Sequence, residues 1–410
     1  MNEEIYIVGV GMTPFGKMLD RSVKSLVAQA VSEALTDCGA EVGDIEAAYY
    51  SSTTQSVIEG QHVIAGQVSL RSVGFGGIPV VNVENACASG ATAIHQAVMM
   101  LRAGMAEVVL AVGVEKMHHP DKARSSAIFS GGYDVHGLDR MQRDLAGIGT
   151  GVEPPKGIPN GVGSPFMDLY ASMTRGHMRE FGTTTEQLAA VASKNHLHSV
   201  NNPLSQFRRP FSIEEILSAP VIAWPLTLPM CSPISDGAAA AILCTKAGLA
   251  RFPGVAAVRV AACVLASGSD REWTQFDRHV CRLAADKAYA EAGLGPADIS
   301  VAEVHDASAF GEILQLENLG FCELGQGGWI SERGETTIGG RIPVNPSGGL
   351  ESKGHPIGAT GLGQIFELTQ QLRGRAGARQ VAGARIALAE NGGGFHGVEE
   401  AAAVVTILAA

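Results

Sequence analysis

An internal repeat dominates this sequence. Three segments of the N-terminal part recur in the same order in the C-terminal part: LTDCGAEVGDIEAAYYSS (35–52) as YAEAGLGPADISVAEVHD (289–306), SGATAIHQ (89–96) as IGATGLGQ (357–364), and AEVVLAVG (106–113) as GARIALAE (383–390). Three ordered similarities predict a duplicated structural unit. Within each copy, short apolar runs alternate with segments of helical periodicity, such as the one from about Val23 to Cys38. We therefore expect two similar βαβαβ-type halves and an α/β fold.

The repeat divides the chain into a first half, residues 1–115 plus 235–250, and a second half, residues 255–410. The region between them, residues 116–234, is rich in Gly, Pro, His and Met and contains GVEPPKGIPNGVGSPFMDLY. A segment of this length is too long for an unstructured loop in a compact domain. We expect it to carry helices of its own and to face a substrate.

Composition narrows the class of protein. Hydrophobic residues make up 46% of the 410 residues and charged residues 17%, which favours a large packed core over disorder. The net charge of −11 argues against a nucleic-acid partner. The acidic N-terminus does not resemble a signal peptide, and no run of about 18 apolar residues predicts a membrane span. The seven cysteines are scattered without a CxxC pair, so we expect neither a disulfide framework nor a zinc site, and a reducing, cytoplasmic location.

Cys87 lies where a strand is predicted to turn into a helix. The run PVVNV is predicted to end as a strand near Val83, and SGATAIHQAVMMLRAG has helical apolar spacing. This placement is expected to lower the pKa of the thiol, because unpaired N–H groups and the helix dipole favour the thiolate. Free cysteine is also among the most buried residue types. The residues alone leave open whether Cys87 is a nucleophile or a small side chain filling a tight corner.

Three other turns contain candidate chemical groups. His355 lies in NPSGGLESKGHPIGATG (345–361), at a turn like that of Cys87, and a Cys–His pair is the usual arrangement for activating a thiol. His305 follows a predicted strand in VAEVHDASAFGEI, where it could donate a hydrogen bond while Asp306 caps the next helix. In ALAENGGGFHG (387–397) a strand runs into three glycines, whose N–H groups can face an oxyanion.

We predict no metal site. The histidines of NHLH (195–198) are two residues apart and point to different sides of a helix. A dinucleotide fingerprint also fails in VGVGMTPFG, because Pro14 stands where its third glycine belongs.

Several of these motifs resemble the thiolase family. The segments NACASG, CSPISDGAAAAIL (231–243), HDAS, NPSGGLESKGHPIGATG and the final GGG turn occur in the family's order over essentially the whole chain, and they are most similar to the sterol-carrier-protein type. The resemblance implies a five-layered αβαβα core of duplicated halves with an inserted loop domain, and dimers or dimers of dimers. It also implies cleavage of a 3-ketoacyl-CoA by coenzyme A or the reverse Claisen condensation, with coenzyme A as co-substrate and no permanently bound cofactor.

The resemblance assigns roles to individual residues. Cys87 becomes the acyl-accepting nucleophile, and His355 takes its proton and helps to bind the thioester oxygen. His305 supports an oxyanion hole at a position where other thiolases have asparagine. The backbone N–H groups of Cys87 and Gly392 hold the oxygen of the acyl-enzyme.

Coenzyme A contacts are also implied. Ser232 matches a serine near the pantetheine arm. We add Gly349, Arg208 and Arg209 to the expected coenzyme A site, with the two arginines near the phosphates.

The chain departs from the family pattern at the second, acid/base cysteine. Ordinary thiolases place it in a CxG turn that reads ENG here, with Glu390 in its place. The sterol-carrier type places it in HDCF, which reads HDAS here, with Ala307 in its place. A positioned acid/base group contributes about 10²–10⁴-fold in rate.

Three hypotheses follow from the missing thiol. In the first, Glu390 moves the Cα proton, with its pKa raised by apolar burial. In the second, the site catalyses related acyl-CoA chemistry, such as acyl transfer or retro-aldol cleavage. In the third, the protein is a non-catalytic, thiolase-like scaffold subunit. Some related thiolases without the standard thiols work with a small OB-fold, zinc-ribbon subunit, which is a further possible partner.

Overall fold

The structure is a computed structural model that describes residues 3–158 and 165–410. The strands are β1 (Ile5–Met12), β2 (Ala47–Ser51), β3 (Val80–Val83), β4 (Val108–Glu115), β5 (Val221–Ala223), β6 (Leu226–Thr227), β7 (Gly237–Thr245), β8 (Val258–Ser267), β9 (Val301–Glu303), β10 (Ile386–Gly393) and β11 (Ala402–Ala409). The helices are α1 (Val23–Cys38), α2 (Gln55–Glu59), α3 (Ala65–Arg71), α4 (Ser89–Arg102), α5 (Lys122–Ala127), α6 (Leu138–Ile148), α7 (Pro165–Phe181), α8 (Thr185–Ser199), α9 (Ile213–Leu217), α10 (Val280–Ala292), α11 (Ala309–Asn318), α12 (Gly327–Glu332) and α13 (Thr360–Leu372). The helix expected from about Val23 to Cys38 is confirmed as α1.

Nine strands form one sheet in the order β3-β2-β4-β7-β1-β8-β11-β10-β9. The two parts of this sheet mirror each other about the contact between β1 and β8. Outward from that contact, β1, β7, β4 and β2 correspond to β8, β11, β10 and β9. The β1–β8 contact is short, with the pairs Ile5↔Val260, Tyr6↔Arg259 and Ile7↔Val258. The predicted duplication is therefore present in the strand order.

The layers follow from which side chains pack together. Helices α4 and α13 share one core with side chains from both parts of the sheet. Helix α1 packs on the outer face of the first part, and α10 and α11 pack on the outer face of the second. Strand β4 is apolar throughout because both of its faces are buried. Val109 and Ala111 face the central helices, while Leu110 and Val112 face α1. This is the expected five-layered αβαβα arrangement.

The two central helices approach closely where they begin. A Cβ atom added to Gly90 would lie 3.1 Å from Gly358 O and Leu362 N, and one added to Gly361 would lie 2.5 Å from Ala91 N. Glycine at these positions lets the backbones of α4 and α13 come together. The turns that precede the two helices, one carrying Cys87 and the other His355, are thereby brought to the same place.

The region between the halves forms helices α5 to α9 and the small β5–β6 sheet. Its buried side chains share a core with α11 of the second half, as in the cluster of Met173, Leu188, Phe310 and Leu314. The expectation that this region carries helices of its own is confirmed. Residues 159–164, within the segment GVEPPKGIPNGVGSPFMDLY, lie outside the described residues.

Exposure separates the seven cysteines, all of which fall within the described residues and are free thiols. Cys87 and Cys322 are partly exposed, and the other five are buried. None of the helices in residues 3–158 and 165–410 combines the length and apolar character needed to cross a bilayer. Of the two accessible thiols, Cys87 faces the cavity described next.

Candidate active site

A cavity of about 930 Å³ contains Cys87, His305 and His355 in its wall. This size is in the range typical of small-molecule sites. Most of the wall is apolar, and it includes five of the chain's 13 phenylalanines. These are Phe129, Phe166, Phe207, Phe211 and Phe395. The aromatic residues, sparse in the chain as a whole, are concentrated around the predicted site.

A strained turn presents Cys87 to this cavity. Ala86 has a φ of 46°, a left-handed conformation that is uncommon for a residue with a side chain. Ser89 Oγ holds the turn, because it accepts the N–H of Asn85 at 2.8 Å and donates to the carbonyl of Ala86 at 2.6 Å. Backbone strain of this kind occurs at functional sites, where surrounding contacts maintain it.

The pKa of Cys87 differs from the sequence-based prediction. Burial raises the pKa of the thiol to about 12, although the N–H groups of Gly394 and of Cys87 itself act in the opposite direction. The prediction that the helix N-terminus lowers this pKa is therefore wrong, because desolvation outweighs the two N–H groups. The thiol is protonated at neutral pH and requires a neighbouring base.

His355 is held in the tautomer that can act as this base. Its Nδ1 lies 2.7 Å from Thr360 Oγ1, whose hydroxyl donates to the carbonyl of Pro356 at 3.0 Å. The Thr360 oxygen therefore accepts from Nδ1–H, and Nε2 keeps a lone pair. Nε2 lies 3.2 Å from Cys87 Sγ. Burial lowers the pKa of His355 well below its ordinary value, so the ring is neutral and can accept the thiol proton.

His305 lies beside this pair, and neither of its ring nitrogens has a hydrogen-bond partner among the described residues. The centroids of the His305 and His355 rings are 5.3 Å apart. Burial lowers the pKa of His305 to about 4, so the ring is neutral at pH 7. A neutral imidazole with an unused N–H in a cavity wall can donate to a carbonyl or enolate oxygen.

Glu390 lies behind His305 and outside the cavity wall. Its Oε2 accepts the N–H of His305 at 3.0 Å, and Cys281 Sγ donates to its Oε1 at 3.4 Å. Burial, with a smaller contribution from Glu400, raises the pKa of Glu390 to about 8. The pKa changes in the expected direction, but the carboxyl is bound to the backbone that carries His305. The structure thus ties Glu390 to the backbone of His305 and not to the cavity wall.

The glycine-rich turn after β10 reaches the cavity through Gly393 and Gly394, and not through the expected Gly392. Gly393 and Gly394 line the cavity, and the N–H of Gly394 faces Cys87 Sγ. Gly392 is still inside β10, and a Cβ atom there would lie 2.7 Å from Glu400 Cγ. The structure therefore places Gly394, and not Gly392, at the sulfur, because the strand continues to Gly393.

The four residues expected at coenzyme A have different surroundings. Ser232 lines the cavity. Gly349 is buried away from it, where a Cβ atom would lie 2.1 Å from Asp306 Oδ2. Arg208 and Arg209 are exposed beside the cavity-lining Phe207. Only Ser232 of the four thus lines the cavity.

Sequence reasoning missed two buried carboxyls in the cavity wall, Glu351 and Glu400. Glu400 precedes β11 in the segment GVEEAAAVVTIL. Two adjacent acids directly before an apolar strand were a signal that could have pointed to it, because buried carboxylates are costly unless they serve a purpose.

The Cys–His pair at the meeting point of the two central helices is the arrangement of enzymes that use an activated cysteine thiol. Residues 5–218 match the family Thiolase, N-terminal domain, and residues 266–409 match Thiolase C-terminal domain-like. The chain belongs to the thiolase superfamily.

Its relatives and structural neighbours agree with this family. The chain is 40% identical to the acetyl-CoA acetyltransferase of Methanothermobacter thermautotrophicus, over 96% of this chain and 97% of that protein. It is 37% identical to sterol carrier protein 2 of Bos taurus, over 95% of this chain and 70% of that protein. A solved structure described as Ltp2-ChsH2(DUF35) aldolase has a TM-score of 0.76 and 23% identity, covers 100% of this chain and 98% of that chain, and shows the fold alone. The relatives support an acyltransferase that uses acyl-CoA.

Proposed function

We propose that this protein is a coenzyme A-dependent thiolase that cleaves a 3-ketoacyl-CoA, or runs the reverse Claisen condensation, through an acyl group on Cys87. The observation that carries the proposal is the 3.2 Å contact between Cys87 Sγ and His355 Nε2 in the wall of a large cavity. Because the pKa of the thiol is raised to about 12, the Nε2 lone pair supplies the base that the sulfur needs.

The neighbouring groups fit the steps of this reaction. As the sulfur attacks the 3-keto carbon, its proton passes to His355 Nε2. The N–H groups of Cys87 and Gly394 hold the oxygen of the acyl-enzyme, and His305 donates to the thioester oxygen of the acyl-CoA. Coenzyme A then attacks the Cys87 thioester and carries the acyl chain away. Ser232 lies along the pantetheine arm, with Arg208 and Arg209 near the phosphates.

The acyl chain is bulky and apolar. Four of the five cavity phenylalanines, all except Phe395, come from residues 116–234. We therefore propose that this region is the inserted substrate domain between the halves 1–115 plus 235–250 and 255–410. A wall of phenyl rings favours a branched, cyclic or aromatic acyl group over an acetyl group, because it buries a large apolar area.

Intact-mass measurement after incubation with a panel of acyl-CoA and 3-ketoacyl-CoA thioesters tests the proposal. We expect an acyl adduct on Cys87 that is absent in Cys87→Ser and present in Cys231→Ser, whose sulfur also lines the cavity. Thiolysis should be fastest with bulky acyl chains. Absence of an adduct with every thioester would contradict the thiolase proposal. Cleavage of a 3-hydroxyacyl-CoA by the same protein would then indicate a retro-aldolase, and absence of that cleavage a scaffold subunit.

A retro-aldolase is the second candidate function. The observation in its favour is that neither Ala307 nor Glu390 provides the second thiol of the family. A retro-aldol cleavage of a 3-hydroxyacyl-CoA needs a base but no acyl-enzyme, so Cys87→Ser would retain it. Assaying the same protein with 3-hydroxyacyl-CoA and 3-ketoacyl-CoA substrates separates the two functions.

We also propose two protein partners. One is a second copy of the chain, which pairs at the exposed edge strand β3 to give a homodimer. The other is a small OB-fold, zinc-ribbon subunit, as expected from the missing thiol and in keeping with the two-component name of the aldolase structure above. Co-expression with such a subunit and measurement of the complex mass tests the second partner.

A further inference from the structure

Glu400 is a buried carboxyl that opens onto the same cavity as Cys87. It lies in the loop between β10 and β11, is 2% exposed, and lines the cavity. Its Oε1 accepts the Nε2–H of Gln315 at 3.2 Å. Its Oε2 has no hydrogen bond to the described residues, although His279 Nε2 is 3.3 Å away. Gln315 therefore holds one carboxylate oxygen, while the other has only His279 Nε2 nearby.

Three contacts connect Ala401, the residue after Glu400, to the turn that carries the nucleophile. The N–H of Ala401 donates to the carbonyl of Gly394 at 3.4 Å. A Cβ atom on Gly394 would lie 3.5 Å from the Cβ atoms of both Ala401 and Ala86. The N–H of Gly394 faces Cys87 Sγ. The residues next to Glu400 and next to Cys87 thus pack on the same glycine.

We propose that Glu400 is the catalytic acid/base that transfers the Cα proton, in place of the absent second thiol. This inference rests on the proposed thiolase function. In condensation, the Glu400 carboxylate removes a proton from the Cα of an acyl-CoA. The Cα electron pair forms the new carbon–carbon bond to the acyl carbon on Cys87, and the carbon–sulfur bond breaks. The Cys87 sulfur takes back the proton that His355 accepted when Cys87 was acylated.

Thiolysis reverses these steps with the same balance of protons. The Cys87 sulfur adds to the 3-keto carbon, its proton passes to His355, and the carbon–carbon bond breaks. The electron pair remains on Cα, which takes the proton of the Glu400 carboxylic acid as the shorter acyl-CoA leaves. The thiol of the incoming coenzyme A restores the proton to Glu400 as its sulfur attacks the acyl group. The regenerated Cys87 sulfur recovers its proton from His355.

The surroundings of Glu400 allow both protonation states. Burial raises the pKa of Glu400 to about 7, so acid and base forms coexist at neutral pH. The charge of Glu399 raises this pKa further, whereas the charge of Arg271 and the hydrogen bond from Gln315 lower it. The other titratable groups around it are His279, Cys281, Glu390 and Tyr170.

The other cavity groups are less suited to this step. Glu351 lies among the carboxyls of Asp306 and Glu312, and burial together with these charges raises its pKa well above the ordinary value, which favours the protonated acid. Cys231 Sγ donates to the carbonyl of Thr227 at 3.4 Å. Burial raises the pKa of Cys231 far above neutral pH. The raised pKa values of both groups make them weaker candidates for the base than Glu400.

A metal ion bound by His279, Cys281 and Glu400 is disfavoured, although their ligand atoms lie close together. Nδ1 of His279 accepts the N–H of Cys281 at 3.2 Å. His279 therefore carries its hydrogen on Nε2, the nitrogen that faces Glu400, and this nitrogen has no lone pair for a metal. The cluster positions a carboxyl and does not provide a complete ligand set.

The test compares Cys87 acylation, by intact mass, with exchange of the Cα hydrogen of acyl-CoA for deuterium in D₂O, by mass spectrometry. Glu400→Gln preserves shape and the hydrogen bond from Gln315. Acylation by an acyl-CoA should slow, because Glu400 protonates the departing coenzyme A sulfur, whereas acylation by a p-nitrophenyl ester, whose leaving group needs no proton, should stay within about twofold of wild type. Cα exchange and turnover should fall by about 10²–10⁴-fold. Circular dichroism and the thermal midpoint establish that the variant is folded.

Three rival variants make the assignment specific: Glu390→Gln, Glu351→Gln and Cys231→Ser. A selective loss of exchange in any of these, with exchange in Glu400→Gln within about threefold of wild type, overturns the proposal. Failure of wild type to exchange the Cα hydrogen also overturns it. If Cα exchange depends on Glu400 but Cys87 is never acylated, the acid/base role of Glu400 is supported and the thiolase function is contradicted. Failure of the Glu400 proposal can therefore be distinguished from failure of the thiolase proposal.

Discussion

Cys87 depends on His355 because its surroundings disfavour the thiolate. With a pKa of about 12, about one thiol in 10⁵ is ionised at pH 7. His355→Asn removes the acceptor at 3.2 Å from the sulfur. We expect the rate of Cys87 acylation at pH 7 to fall by about 10²–10⁴-fold and to rise about tenfold per pH unit up to pH 10, as free thiolate replaces the base. Stopped incubations with an acyl-CoA, analysed by intact mass, measure this rate, and a pH-independent rate in the variant would contradict the proton-transfer role.

His305 should make stability depend on pH. Its pKa is about 4 in the folded protein, and an unfolded histidine has a pKa of about 6.5. Because the unfolded chain binds the proton more readily, this residue contributes stability above pH 6.5 that is lost as the pH falls toward 4, about 3 kcal/mol in all.

His305→Asn removes this titration and retains a side-chain N–H. Urea unfolding at pH 7 and pH 4.5 should therefore show a smaller loss of stability on acidification in the variant than in wild type. His355 is present in both proteins, so its own titration cancels in the comparison. Parallel losses in the two proteins would show that His305 is not desolvated as the structure indicates.

Single site residues could be predicted from the sequence where the residues next to them indicate a reactive turn. Cys87, His305 and His355 each stand in a short, glycine-rich or small-residue turn, and the structure brings all three to one cavity. The pKa of Cys87 could not be predicted, because it depends on how tightly other segments enclose the thiol. Glu400 could not be assigned to the site, because only tertiary packing places its loop beside Gly394.

The start of helix α4 sets the distance between the two halves of the site. Gly90→Ala would put a Cβ atom 3.1 Å from two backbone atoms of the other half, neither of which can rotate away. We expect a loss of about 1–3 kcal/mol in the free energy of unfolding, because overpacking displaces α4 from α13. Acylation of Cys87 should slow as well, because the displacement separates the sulfur from His355.

A matched control is available in helix α6. A Cβ atom on Gly147 would meet nothing within 4 Å, and Gly147→Ala should be neutral or stabilise by about 0.5–1 kcal/mol. Urea unfolding of both variants measures the stability difference, and intact mass measures acylation. Equal effects of the two substitutions would mean that the contact between α4 and α13 does not position the site.

Elements with strong local signals were predictable. Helix α1 has the predicted bounds, and the apolar run of β4 is buried on both faces. The end of β10 was not predictable from its glycines. The strand continues through Gly392 to Gly393 because it pairs with β11 along its whole length, and this moves the N–H donor to Gly394.

For the molecule as a whole, the repeat predicted two similar α/β halves, but neither the order of their strands nor how the halves join. The β1–β8 pairing that makes one sheet joins the first strand of one half to the first strand of the other. Within the described residues, strand β3 at one end of the sheet is hydrogen-bonded to a neighbouring strand on one side only. Val81 and Asn82, which point to opposite faces of this strand, are both exposed.

A second copy of the chain could pair with the free backbone N–H and C=O groups of β3. An uncovered edge strand with an exposed valine is prone to pair with another strand, and charge on the edge prevents such pairing. We expect wild type to have twice the mass of a 42.6 kDa chain in sedimentation and light-scattering measurements, and Val81→Lys to have the mass of one chain. Leu324→Lys, at a similarly exposed position in the second half, should remain dimeric. A dimer that survives Val81→Lys would place the interface elsewhere, and a monomeric wild type would show that the protein does not require a second copy.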